Sequence, residues 1–201
     1  MPDIDCGMAI RPLNRFLSES GDTARIYQAG EFCDLVLIDV LGHGAQARVV
    51  AQRAERYVDV HHGEELLALL QGLHAHLLGT RGAVAACCRL HVPSGALQCS
   101  GIGNISVKVL RYKQETLITR DGVIGYHTIR PQIVETTLKP GDIVLMHSDG
   151  IRSTVNYIEQ QSLLEKSATG MANTIIKEYG TKTDDACCIV MKYLREGMRK
   201  G

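Results

Sequence analysis

The chain of 201 residues balances 22 Lys and Arg against 22 Asp and Glu, and 45% of it is hydrophobic. That is enough apolar material for one ordinary core, and the even charge argues against a polyanion-binding surface and against disorder. No apolar run reaches the roughly 20 residues that span a bilayer, and "MPDIDCGMAIRPLN" has no basic region followed by a long apolar one. One cytoplasmic domain over residues 1–201 is expected, with no nucleic-acid or membrane partner and a monomeric state.

In chain order, "LVLIDV" reads as a buried strand ending near Asp39. After Gly44, residues Ala47, Val50, Ala51, Ala54 and Val58 recur at helical spacing, and Leu66, Leu69, Leu70, Leu73 and Leu77 do so after Gly63. From Gly82 the pattern changes to short strand-like runs, "AVAACCRLHV", "ALQCSGI", "ISVKVLRY", "ETLITR" and "QIVETTL", separated by turn signals. Such spacing leaves no room for crossover helices and predicts hairpins, hence antiparallel pairing. "DIVLMHSDGI" is a further strand, "NYIEQQSLLEKSATGMANTIIKEY" reads as helix broken near Gly170, and "ACCIVMKYL" closes as a last strand before a basic tail at about 195–201. The order suits antiparallel sheets covered by helices, an α+β layered domain.

Seven cysteines include two adjacent pairs, Cys87-Cys88 and Cys187-Cys188, in strand-like runs. Neighbours on a strand point to opposite faces, so these pairs read as reduced, buried small hydrophobes. His61-His62 and His74-x-His76 lack a shared helix face and are read as surface or partly buried rather than as a zinc site.

Carboxylates mark four strand ends. Asp39 and Asp149 each close an apolar run beside glycines, Asp184 and Asp185 stand just before the last strand, and Asp22 precedes another candidate strand in "SGDTARIY". A carboxylate at the end of an apolar run must find donors, a cation or water, because unpaired burial costs several kcal/mol. Oxygen-only ligands on rigid strands suit hard cations such as Mg2+ or Mn2+. Each aspartate taken alone fits a helix cap or a turn equally well.

Taken as an ordered set, these stretches carry a family resemblance. "IDVLGHGAQA" resembles the Asp-x-x-Gly-His-Gly segment of the metal-dependent (type 2C) Ser/Thr protein phosphatases, in their bacterial sporulation and stress-response branch. "LKPGDIVLMHSDGI" is similar to that family's Pro-Gly-Asp, apolar strand and Ser-Asp-Gly segment, and "TDDACCIVM" to its closing acidic motif. "GIGNISVKV" resembles its central hairpin and "SGDTARIY" its early Gly-Asp. The matches run from about residue 21 to 193 in family order. The small size, with no regulatory domain attached, is most similar to the branch member that resets the stressosome.

The resemblance implies a four-layer α-β-β-α sandwich with two mainly antiparallel sheets. It implies two Mn2+ or Mg2+ ions bridged by Asp39, one of them held in part by the backbone carbonyl of Val40, with Asp149 and Asp184 completing the first ion's protein ligands and Asp22 facing the second, partly through water. It implies direct hydrolysis of phosphoserine and phosphothreonine by a metal-activated water, on phosphorylated STAS-domain scaffold or regulator proteins. Asp185 supports its neighbour, Gly42 and Gly44 supply a tight strand-to-helix turn, and Gly150 allows close backbone approach. His43 stands two residues beyond the place where eukaryotic members of the family have their acid histidine, a position taken here by Leu41. It is a candidate general acid or else a structural residue at the helix start. Asn104 replaces a carboxylate that would hold a third ion. No arginine precedes Asp22 where eukaryotic members hold the phosphate, and Arg15, Arg25 and Arg152 are the alternatives. The rival readings are a catalytically inactive, phosphatase-like binding module, and a phosphatase for an anti-sigma-factor antagonist of another pathway.

Overall fold

The computed structural model describes residues 4–13, 19–117 and 119–194; the basic tail at about 195–201 and Arg15 lie outside the described residues. Among them, ten strands make two sheets of five, and every named strand pair is antiparallel. The first sheet runs β1 (Ile4–Arg11), β10 (Ala186–Tyr193), β9 (Ile143–His147), β6 (Ser106–Leu110), β7 (Gln114–Leu117). The second runs β2 (Asp22–Ala29), β3 (Phe32–Val40), β4 (Ala83–His91), β5 (Ala96–Ile102), β8 (Val134–Thr137).

The period-2 alternation of side chains decides the layers. On β3, Leu35 and Leu37 face the first sheet, while Val36, Ile38 and Val40 face two helices. Those helices are α1 (Ala45–His61) and α2 (Leu66–His76). Helix α1 buries Ala47, Ala51, Ala54 and Val58, small side chains that bring it close to the sheet, and α2 buries Leu66, Leu69, Leu70 and Leu73. On the other side, Cys187, Ile189 and Met191 of β10 face the second sheet, while Cys188 and Val190 face α4 (Ala168–Tyr179). The short α3 (Gln161–Leu164) precedes α4. Three buried layers thus separate four structural ones, giving the α-β-β-α sandwich. The adjacent cysteines split between layers as alternation requires, and all seven thiols are free.

Three local expectations need correction. The break in the C-terminal helical segment comes at Lys166–Ser167 rather than near Gly170, which lies in the first turn of α4. The Ser167 hydroxyl accepts from the Gly170 N–H, and Asp5 accepts from the Ala168 N–H, so two caps set the start. "GIGNISVKV" is not a hairpin: β5 ends at Ile102 in one sheet and β6 begins at Ser106 in the other. Residues 4–11, given no element above, form β1, whose Asp5–Arg11 stretch pairs along β10.

Candidate active site

The face rule that builds the core also aims the acids. Asp39 shares the parity of Leu35 and Leu37, so its side chain points between the sheets at the end where the layer opens. Asp22, the first residue of β2, is its directly opposed partner and therefore lies on the same face. Asp22 is only 2% exposed, and the Ser148 hydroxyl donates to its Oδ2 at 2.6 Å. Ser148 Oγ also accepts from the Cys187 N–H, tying the two sheets at this point. Burial pushes Asp22 up to about 7, with the Ser148 hydroxyl working against it and Asp185 adding to it. Burial, then the charges of Asp22 and Asp149, push Asp39 up to about 9.

Asp149 follows β9, and the Asn104 side-chain amide donates to its Oδ2 at 2.9 Å. The two neighbouring acids before β10 do different things. Asp184 is exposed and lines the same pocket as Asp39 and Asp149; burial raises its pKa, its bond from the Asp185 N–H opposes the rise, and Asp149 adds to it. Asp185 is buried and accepts from the Leu13 N–H at 2.7 Å and the Gly21 N–H at 2.8 Å, pinning the chain that leads into Asp22. Arg11 donates to the Thr181 and Asp184 carbonyls and steadies the loop before them. A Cβ on Gly150 would stand 1.7 Å from the Asp185 carbonyl oxygen, so these two loops touch only because that residue is glycine.

The turn from β3 into α1 needs backbone that other residues rarely adopt: Gly42 and Gly44 have φ of 80° and 82°. The Val40 carbonyl lies on the Gly21 side, 3.1 Å from where a Cβ on Gly21 would stand. His43, between the two glycines, is exposed and near enough to Asp184 to oppose the rise in its pKa.

Asp39, Asp149, Asp184, Asn104 and Gly42 line an open pocket of about 360 Å³. Two further residues belong to this corner and were not singled out from the sequence. Asp121 lines the pocket with Gly122, in a stretch whose Asp-Gly pair reads only as a turn. Arg81 lies against Gly42 from a loop between α2 and β4. Two of the arginines considered from the sequence are occupied elsewhere: Arg25 pairs with Glu55 and Asp59, and Arg152 donates to the Glu178 carbonyl; Arg15 lies outside the described residues. The four α1–α2 histidines have separate partners, with His61 on Glu64, His62 stacked on Tyr27, His74 accepting from the Gly125 N–H and His76 against Tyr57. A larger groove of about 610 Å³ between Phe32 and Thr137 has its charges paired, Arg89 with Asp34 and Glu135 with Gln98.

The donor chemistry of the pocket fits hard cations. Burial and neighbouring carboxylates disfavour the charged forms of Asp22, Asp39 and Asp184, and a divalent ion would offset that charge. Among the described residues, no three His, Cys, Asp or Glu side chains stand close enough to enclose one ion. The aspartates surround the pocket without closing on a single point.

The model of the family "Stage II sporulation protein E (SpoIIE)" matches residues 32–194. No curated protein matches the sequence. Among solved structures, a chain from work on the bacterial stressosome, described as a modular system adapted to control secondary messenger signaling, superposes with a TM-score of 0.86 at 29% identity, covering 94% of this chain and 100% of that one. RsbX in complex with magnesium gives 0.78 at 15% identity, covering 96% and 100%. The type 2C phosphatase domain and a regulatory fragment of SpoIIE from Bacillus subtilis give 0.75 at 16%, covering 98% and 63%.

Proposed function

Because this chain belongs to the SpoIIE family, in the bacterial sporulation and stress-response branch of the type 2C phosphatases, we propose that it is a metal-dependent phosphoserine and phosphothreonine protein phosphatase. In this reading it is a single cytoplasmic domain, and its substrates are phosphorylated STAS-domain regulators of the stressosome. The observation that carries the reading is the convergence of Asp39, Asp149 and Asp184, from three separate strand ends, on one open pocket with Asp22 paired behind them. Full-length similarity to a chain from the stressosome work supports the regulator class.

Asp39, Asp149, Asp184 and Asp22, with the Val40 carbonyl, would hold two Mn2+ or Mg2+ ions. Such ions, when bound, make water acidic enough to attack a phosphoryl group at neutral pH and offset that group's charge. The protein's own part is to hold this charge in place. Asn104 orients Asp149, Ser148 orients Asp22, and Asp185 fixes the loop that carries Asp22. The leaving seryl oxygen needs a proton, and His43, beside Asp184, is the candidate donor.

The test is phosphate release from a phosphorylated STAS-domain regulator, with Mn2+ and with chelator, for the parent protein and for Asp39→Asn once the variant is verified as folded. Metal-dependent turnover that Asp39→Asn abolishes is the expected result. Turnover of a generic aryl phosphate but not of the regulator would keep the chemistry and replace the partner, for example by an anti-sigma-factor antagonist. Silence of a folded, metal-supplied parent on both substrates would overturn the enzyme reading in favour of a binding module.

A further inference from the structure

The charge of the pocket is incomplete without a cation from the protein. Two divalent ions, when bound, would balance the four carboxylates of Asp22, Asp39, Asp149 and Asp184, and Asp121 would then leave the pocket negative. A phosphoryl dianion entering it needs a further positive group.

Arg81 is placed to be that group. A Cβ on Gly42 would stand 3.2, 3.4 and 3.5 Å from its Nη1, Cζ and Nη2, nearly equal distances that put the flat face of the guanidinium over Gly42. Gly42 is a wall of the pocket. The N–H groups of a guanidinium lie in its plane, so face-on stacking leaves them open. The side chain is exposed, and among the described residues no hydrogen bond or ion pair engages it.

Its backbone, by contrast, is fixed on both sides. The Thr80 hydroxyl donates to the Leu77 carbonyl and accepts from the Gly82 N–H, while the Gly82 carbonyl accepts from Leu41 N–H at 3.1 Å. Gly82 itself has φ of 82°, and a Cβ there would stand 2.6 Å from Val123 Cγ1. The loop that carries Arg81 is thereby docked along the Leu41–Gly42 turn, two to three residues after Asp39.

We infer that Arg81 is the phosphate-holding residue of this site, its guanidinium meeting the phosphoryl oxygens of the substrate at the pocket mouth. The inference rests on the phosphatase reading, and its test separates the two. Binding of inorganic phosphate to the Mn2+-supplied protein is measured by calorimetry for the parent, Arg81→Ala and Arg81→Lys, alongside Mn2+ affinity and KM for an aryl phosphate. Losing a charge-assisted, two-pronged contact is expected to weaken phosphate binding and raise KM by about 10- to 100-fold in Arg81→Ala, with partial rescue in Arg81→Lys and unchanged Mn2+ affinity.

A parent that turns substrate over, with phosphate affinity and KM unmoved in Arg81→Ala, would overturn the assignment and leave the phosphatase reading intact. A parent that binds phosphate through Arg81 without turnover would support the assignment and remove hydrolysis. Absence of phosphate binding by the Mn2+-supplied parent would overturn the assignment.

Discussion

Asp22 and Asp39 face each other directly across the β2–β3 ladder, both aimed into the layer between the sheets; burial, with Asp185 and Asp184 adding to it, pushes Asp22 up to about 7, and burial, with the charges of Asp22 and Asp149, pushes Asp39 up to about 9. A carboxyl whose pKa is higher folded than unfolded binds more protons in the folded state. Its contribution to stability is therefore complete below the unfolded value of 3.8 and is lost as pH rises through the folded values. The chelated protein should lose thermal stability steadily between about pH 4 and pH 9 from this pair. Added Mg2+ or Mn2+ should raise its melting temperature by several degrees more at pH 8 than at pH 5. Asp39→Asn should flatten the pH slope of the chelated protein and shrink the metal gain. Thermal melts at the two pH values, with metal and with chelator, decide it.

The Asn104 amide donates to Asp149 where a carboxylate would repel it. Asn104→Asp should destabilise the chelated protein by about 1 kcal/mol, since like charges then meet in place of a hydrogen bond. In exchange it adds an anionic oxygen donor to the pocket, so more divalent ion should be retained per chain. Metal content after desalting, read by elemental analysis beside a melting curve, measures both effects. Unchanged stability and unchanged metal content would mean that Asn104 does not govern Asp149.

Gly150 is a sterner constraint. A Cβ at this residue would stand 1.7 Å from the Asp185 carbonyl and 3.0 Å from Ala186 Cα, both backbone atoms that no side-chain rotation can move aside. Gly150→Ala should push the loop after β9 away from the start of β10, moving Asp149 and Asp184 apart. The expected outcome is a lowered melting temperature together with weakened Mn2+ binding, measured by calorimetry on the folded fraction.

What was legible in the sequence was what local pattern encodes. Asp39, Asp149 and Asp184 stood out because each interrupts or borders a continuous apolar run, and alternation along β3 fixes the face that Asp39 shares with Leu35 and Leu37. Arg81 and Asp121 carried no such mark, since a residue in a turn gains its place from the strands that close around it. The strand β1 was within reach: Ile4, Cys6, Met8 and Ile10 alternate, though Asp5 and Gly7 between them and Arg11 after them read as a polar terminus. The crossing after β5 was not. "GIGN" has the composition of a hairpin turn, but β8 occupies the edge beside β5, and Val107 and Val109 are buried by pairing in the opposite sheet. Which edge accepts a strand is decided by burial across the whole sandwich.

Asp184 and Asp185 show how far identical neighbours can diverge, and they offer a clean comparison. Asp185 is buried and receives two backbone N–H groups, from Leu13 and Gly21, whereas Asp184 is exposed at the pocket and receives one, from Asp185 itself. Asp185→Ala leaves one buried and one part-buried donor unmet and should cost about 3 kcal/mol, or roughly 6–12 °C in melting temperature for a chain of this size. Asp184→Ala removes repulsion with Asp149 and Asp185, so the chelated protein should be unchanged in stability or slightly more stable, while Mn2+ affinity falls by about tenfold or more. Measured together, melting temperature separates the staple and metal titration separates the ligand. Equal losses of stability in both variants would mean that Asp184 also holds the fold, and the division of labour between the two acids would be wrong.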